Sequence, residues 1–175
     1  MRLFCAIEVP EEIREKLVLA QQELTQQGIK LVEKENLHIT LSFFGEVSEK
    51  DAKKLHAALS AVEFPPLEIS MRGIGAFPNL KFPNVLFASA DCAELSALAS
   101  SISSVVEKSK VPVQKEEKEF HAHVTLARIK GIADLFSFAQ KYSAFDFGSF
   151  TAKKFVLKKS VLSGFGPKYE AIAKY

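Results

Sequence analysis

The sequence predicts a duplicated α+β fold with pseudo-twofold symmetry, and three observations predict it. The tetrapeptides HITL at 38–41 and HVTL at 123–126 repeat one pattern at an interval of 85 residues, close to half of the 175-residue chain. Each sits on a strand-like run that a helix-like run follows. Several connections are too short for the crossover helix that parallel neighbours need, so the strands are expected to be largely antiparallel. No linker or low-complexity segment separates the halves, so residues 1–175 are expected to form a single domain of two related lobes, each contributing one His-x-Thr strand.

Taken in order, residues 2–8 read as a strand, and Pro10 opens a helix on which Ile13, Leu17, Leu19 and Leu24 recur at helical spacing, acids fill the first turn and Gly28 marks the end. The first histidine strand runs from about 37 to 44 and closes at Gly45. A helix follows, with Ser48 as N-cap, Asp51 three residues on, and Leu55, Ala58, Leu59 and Val62 as its apolar stripe. Strands at about 67–77 and 85–90 flank the turn-rich FPNLKFPN, and Asp91 is expected to cap a helix from about 93 to 108. The glycines of RGIGAFP lack the third glycine and following helix of a dinucleotide fingerprint, so this stretch reads as a bent strand. After the second histidine strand, IADLFSFAQKY reads as a short helix, and the tail from Gly148 reads as two strands joined by a Gly/Pro-rich loop.

Composition excludes several function classes. Apolar residues make up 47% and charged residues 25%, the balance of an ordinary globular protein. A net charge of +2, from 23 basic and 21 acidic residues, is too small for a protein that coats long nucleic acid, though it allows a local basic pocket. Cys5 and Cys92 stand alone, without metal-ligand spacing or the density of a disulfide scaffold, which points to reduced thiols and a cytoplasmic location. The opening MRLFCAIEVP is interrupted by Glu8 and reads as a strand, and no run is long enough to span a bilayer. Neither a membrane nor an obligate protein partner is expected.

The chemistry lies in the two repeated strands. Alternation puts His38 and Thr40 on one face and Leu37, Ile39 and Leu41 on the other; likewise His121, His123 and Thr125 oppose Phe120, Ala122, Val124 and Leu126. A pseudo-twofold axis would set the histidines across a shared cleft, each with a hydroxyl one step along the same face. One neutral and one protonated imidazole supply a general base and a general acid near neutrality, and threonine hydroxyls can donate to the non-bridging oxygens of a phosphate. Hydrolysis of a phosphodiester needs that set and no metal.

The opening MRLFCAIEVP, NLHITLSFFGE, RGIGAFPN, FHAHVTLAR, FGSFTAKKFVLKKSVL and the closing GPKYEAIAKY together resemble the two-histidine phosphoesterase superfamily, and most closely its LigT-like RNA 2′,3′-cyclic phosphodiesterases. The resemblance runs nearly end to end. It implies a bilobal fold in which two mainly antiparallel sheets line a central cleft, with helices outside, and no cofactor. It implies substrates that are RNA ends or small cyclic nucleotides, opened from a terminal 2′,3′-cyclic phosphate to a 2′-phosphomonoester, and in some relatives a 2′,5′ RNA ligation. It assigns His38 as proton donor to the leaving 3′ oxygen, His123 as acceptor from water, and Thr40 and Thr125 as phosphate-binding. The near symmetry of such a site leaves open which ring starts protonated. Relatives commonly carry a lysine where this chain has Ser42, and an arginine and a tryptophan around NVLFASA, where it has Asn84 and Phe87.

Further candidates for substrate contact are His121, Ser42, Arg128 and Phe44. Ser42 is expected on the face of His38, whereas strict alternation sends Arg128 to the face opposite His123 unless a bulge intervenes. Phe44 and Phe165, each beside a glycine, are candidates to stack on a base. His56 reads as a solvated helix residue, and Lys153, Lys154, Lys158 and Lys159 as guards of an exposed sheet edge. Two rival functions stay open: a nucleotide-binding module without turnover, and a metallohydrolase with His38, His121 and His123 as zinc ligands.

Overall fold

The computed structural model describes residues 1–114, 119–163 and 166–175. In chain order it contains β1 (Arg2–Glu8), α1 (Glu11–Gln21), β2 (Ile29–Leu31), β3 (His38–Glu46), α2 (Glu49–Leu59), β4 (Leu67–Phe77), β5 (Val85–Asp91), α3 (Glu94–Ser109), β6 (His123–Ile129), α4 (Phe136–Tyr142), β7 (Asp146–Ala152), β8 (Val156–Ser163) and β9 (Gly166–Lys174), with one turn of 3₁₀ helix at Lys34–Asn36. The strands follow one another in space as β7-β4-β5-β6-β3-β1-β8-β9, and β2 pairs with β6 beside that path. Every pairing is antiparallel.

The two histidine strands lie at the centre of this order, bridged by the pair Ile39↔Val124. The two sheets expected from the resemblance are therefore two wings of one curled sheet, meeting at that bridge. The repeat extends beyond the histidine motifs. In chain order β1, α1, β3, α2 and β4 correspond to β5, α3, β6, α4 and β8, each about 85 residues further on. The sheet agrees: β1 lies between β3 and β8, just as β5 lies between β6 and β4. The edge strands β7 and β9 complete the wings.

Local sequence explains these elements. In β1, Leu3 to Ile7 are buried in an unbroken run, as a strand covered on both faces requires. α1 begins after Pro10, with Glu11 and Glu12 in its first turn, and buries Ile13, Leu17 and Ala20. Leu19 departs from the expected stripe and is 63% exposed. This helix stops at Gln21, before Gly28, whose φ of +85° instead permits a tight turn into β2 beside the carbonyl of Lys130.

Ser48 caps α2 as expected, its hydroxyl accepting from the Asp51 N–H at 3.1 Å, and Leu55 and Leu59 point inward. Asp91 does not cap α3. It is the last residue of β5, and the helix starts after Ala93 without a side-chain cap. The tail also differs from expectation, forming three strands rather than two: β7 pairs with β4 in one wing, whereas β8 and β9 belong to the other. RGIGAFP is a bent strand as expected, with a register shift between Met71 and Ile74 and a φ of +74° at Gly73. Among the described residues no helix is long and apolar enough to cross a membrane.

Candidate active site

Each histidine strand breaks its alternation at the same point. In β3, Thr40 pairs with Ala6 and Ser42 with Cys5, so Leu41 is the extra residue of a bulge. In β6, Thr125 pairs with Phe87 and Ala127 with Leu86, which makes Leu126 the extra residue. The burial patterns match position by position: half-buried His, buried Ile or Val, half-buried Thr, two buried residues, then an exposed one. A one-residue bulge exchanges the two faces downstream of it.

That exchange corrects two expectations and resolves a third. Ser42 is turned into the core beside Cys5, 8% exposed, and is absent from the cleft lining. Phe44 is 1% exposed within the main core, whereas Phe43, which strict alternation assigns to the core, is 45% exposed and lines the cleft. Arg128, at the position of β6 equivalent to Phe43, lines the cleft with His123. Phe165 lies outside the described residues.

His38, Thr40, His123 and Thr125 therefore line one cleft, of about 1010 Å³. The His38 Nε2 and Thr40 Oγ1 atoms are 3.1 Å apart in a hydrogen bond. The ring rests on Phe4 at a centroid distance of 5.1 Å and meets the edge of Tyr169 at 5.2 Å. One side of the residue opens to the cleft, but Nδ1 is buried and makes no hydrogen bond of standard geometry among the described residues. Burial lowers the His38 pKa to about 4, the positive charges of Lys158 and Arg14 and the nearby His123 add to the effect, and the Asn36 carbonyl opposes it. Lys158 departs from its expected role on a solvated edge. It is 4% exposed on β8, between β1 and β9, and pairs with Glu8 at 3.1 Å. Burial alone would raise the Glu8 pKa, but the Lys158 hydrogen bond and charge leave it lowered.

His123 is held differently. Its Nδ1 lies 2.6 Å from the carbonyl oxygen of His121, and because a carbonyl only accepts, Nδ1 carries the proton. In the neutral ring Nε2 is then an unprotonated acceptor. The ring stands against Phe77 at 5.1 Å and Phe87 at 5.2 Å. Burial lowers its pKa, the His121 carbonyl opposes this, and the His121 ring adds to it. A Cβ at Gly75 would meet the Phe87 ring at 2.6 Å, so that glycine makes room for the aromatic support behind His123.

His121 precedes β6, is exposed, and packs on the same two phenylalanines. Among the described residues no three His, Cys, Asp or Glu side chains are grouped as a metal ion would need. His56 lies on α2 outside the cleft, exposed and hydrogen-bonded through Nδ1 to the Tyr175 hydroxyl at 2.6 Å. Asn84 lines the cleft. Lining residues that sequence reasoning misses include Lys30, Tyr169 and the α3 residues Ser100, Ser103, Ser104 and Glu107. The α3 group has a legible signal, polar positions at helical spacing opposite Leu98 and Ile102; Tyr169, on the last strand, has none.

The family model described as LigT like Phosphoesterase matches residues 7–87. An Archaeoglobus fulgidus protein named RNA 2′,3′-cyclic phosphodiesterase is 42% identical, over 97% of each chain. One of the same name from Methanocaldococcus jannaschii is 39% identical over the full length of both. Among solved structures, a Thermus thermophilus protein superposes with a TM-score of 0.87 at 34% identity, covering 100% of this chain and 97% of that one. Escherichia coli LigT complexed with 3′-AMP superposes with a TM-score of 0.83 at 25% identity, covering 99% and 96%. With full-length relatives at this identity and the paired His-x-Thr strands at its centre, the chain belongs to the LigT-like phosphoesterase family.

Proposed function

We infer that this protein is an RNA 2′,3′-cyclic phosphodiesterase, a hydrolase that opens a terminal 2′,3′-cyclic phosphate to a 2′-phosphomonoester by acid–base catalysis with two histidines and no metal. The observation that carries the assignment of roles is the bond from His123 Nδ1 to the His121 carbonyl, which leaves Nε2 as a proton acceptor in the cleft. His123 takes a proton from water as its oxygen attacks phosphorus. The bond from phosphorus to the 3′ oxygen breaks, and His38 delivers its proton to that oxygen. Thr40 and Thr125 donate to the non-bridging oxygens, where negative charge concentrates, and Arg128 adds a positive charge at one end of the same cleft. A 5′-hydroxyl in place of water would join two ends through a 2′,5′ linkage by the same proton transfers.

His38 must be protonated to act as the acid, yet in the free protein its pKa is about 4. The anionic phosphate supplies the remedy, since a negative charge beside a buried imidazole raises its pKa. Substrate binding thus loads the acid. Every residue in this reading comes from one chain, arranged as two related lobes of a single domain, and the isolated thiols of Cys5 and Cys92 suit the reducing cytoplasm.

The test is incubation in excess EDTA with a short RNA ending in a 2′,3′-cyclic phosphate. A 2′-phosphate product, absent with His38→Ala and with His123→Ala, is expected. Binding without product would turn the reading into that of a nucleotide-binding module, and activity that appears only with zinc would move it to a metallohydrolase.

A further inference from the structure

The cleft is longer than two histidines need, and its ends differ in charge. Phe43 lies five residues past His38 and Arg128 five past His123, on antiparallel strands, so these two mark opposite ends with the histidines between them. At the Arg128 end β2 pairs with β6 and sets Lys30 directly across from Arg128, and both residues line the cleft. Like charges directly opposite each other destabilise a strand pair, so folding gains nothing from this placement. Among the described residues neither cation is matched by an ion pair. The carboxylate at this end, Glu33, accepts from the Asn36 amide at 3.2 Å. At the Phe43 end the lining carries Ser100, Ser103, Ser104, Glu107 and Glu119. One end therefore sets two cations against the single carboxylate of Glu33 and attracts phosphate, and the other offers the α3 hydroxyls and the carboxylate of Glu119.

We propose that Lys30, acting with Arg128, holds the phosphodiester immediately 5′ of the terminal nucleotide, so that the protein selects the end of an RNA chain over a free cyclic mononucleotide. This rests on the phosphodiesterase reading above. A cleft of about 1010 Å³ is at the upper limit of sites that enclose one small molecule, and it leaves room for an upstream group. The charge difference also orients the chain. Its upstream phosphates lie toward Lys30, and the terminal base lies toward Phe43, where no further phosphate follows.

The test compares kcat/KM for a 2′,3′-cyclic mononucleotide with that for a diribonucleotide ending in a 2′,3′-cyclic phosphate, at low and high salt. The wild-type protein prefers the dinucleotide, and the preference shrinks as salt rises. Lys30 is exposed on a three-residue strand, so Lys30→Ala folds. It lowers the ratio of the two kcat/KM values by roughly five- to tenfold, the worth of one charge-assisted contact at an open site. Lys30→Arg retains the ratio, and Lys53→Ala, on α2, does not change it. Equal use of both substrates by the wild type, or an equal loss on both in Lys30→Ala, overturns the inference and leaves the phosphodiesterase reading standing. Hydrolysis of neither substrate overturns both.

Discussion

His123 donates from Nδ1 to the carbonyl oxygen of His121 at 2.6 Å, and this bond breaks the symmetry of a nearly symmetric site. The equivalent nitrogen of His38 is buried and makes no hydrogen bond of standard geometry among the described residues, although the Asn36 carbonyl, two residues earlier as His121 is for His123, still acts on the ring, and its Nε2 is engaged with Thr40 at 3.1 Å. The two imidazoles come from the same motif on equivalent strands, yet only one is presented with a defined acceptor.

Removing either ring should abolish turnover without unfolding the protein. His123→Ala and His38→Ala are each expected to lower kcat by about 10²- to 10⁴-fold, the usual worth of positioned acid–base catalysis. Circular dichroism and thermal unfolding at pH 7 should keep the form of the wild-type transition. If one variant retained near-normal kcat, that ring would be a binding group only.

The bulge at Leu41 predicts opposite consequences for adjacent phenylalanines. Phe44→Ala empties a core position that is 1% exposed and should cost about 3–5 kcal/mol of stability. Phe43→Ala removes a ring that is 45% exposed in the cleft, and should raise KM for an RNA end several-fold with less than about 1 kcal/mol lost. Denaturant unfolding and steady-state kinetics on the pair test the register directly. A strand without the bulge would reverse the two outcomes.

That pair also shows what the sequence can and cannot reveal. HITL and HVTL are legible because period-two alternation holds across four residues and because the pattern occurs twice. Beyond the leucine, alternation gives the wrong face for Phe43, Phe44 and Arg128, since a bulge is an exchange of pairing partners and leaves no trace in residue type. Placing Ser42 beside His38 fails for the same reason. Lys158 is misread because a lysine-rich strand resembles a guarded edge; β9 lies outside β8, making it an interior strand. The pairing of Lys158 with Glu8 joins residues far apart in the chain, beyond any local pattern.

Stability should fall as pH drops from neutrality toward 4. The His38 pKa is lowered from 6.5 to about 4 in the folded protein, and that of His123 is lowered as well. Between those values the unfolded chain binds protons that the folded protein excludes, so stability rises with pH through this window. The His38 contribution is complete above about pH 6.5 and is on the order of 3 kcal/mol. Urea unfolding at several pH values should show this slope in the wild type and a shallower one in His38→Gln. An unchanged slope would mean that His38 titrates normally.

Lys158 offers a way to move the acid without touching it. Its ammonium lowers the His38 pKa and is itself held by Glu8. Lys158→Met keeps the length and apolar stem of the side chain but removes the charge, and frees the Glu8 carboxylate to act on the same region. Both changes favour a protonated His38, so its pKa should rise. In the kcat/KM profile the limb assigned to the acid should move to higher pH, and the limb assigned to His123 should stay in place. A simple packing defect would lower kcat/KM at every pH and leave both limbs where they were. The loss of a buried ion-pair partner also has a cost, so the variant should be less stable than the wild type. Activity per folded molecule should nevertheless persist to higher pH, because Lys158 tunes the protonation of His38 and does not itself contact the phosphate.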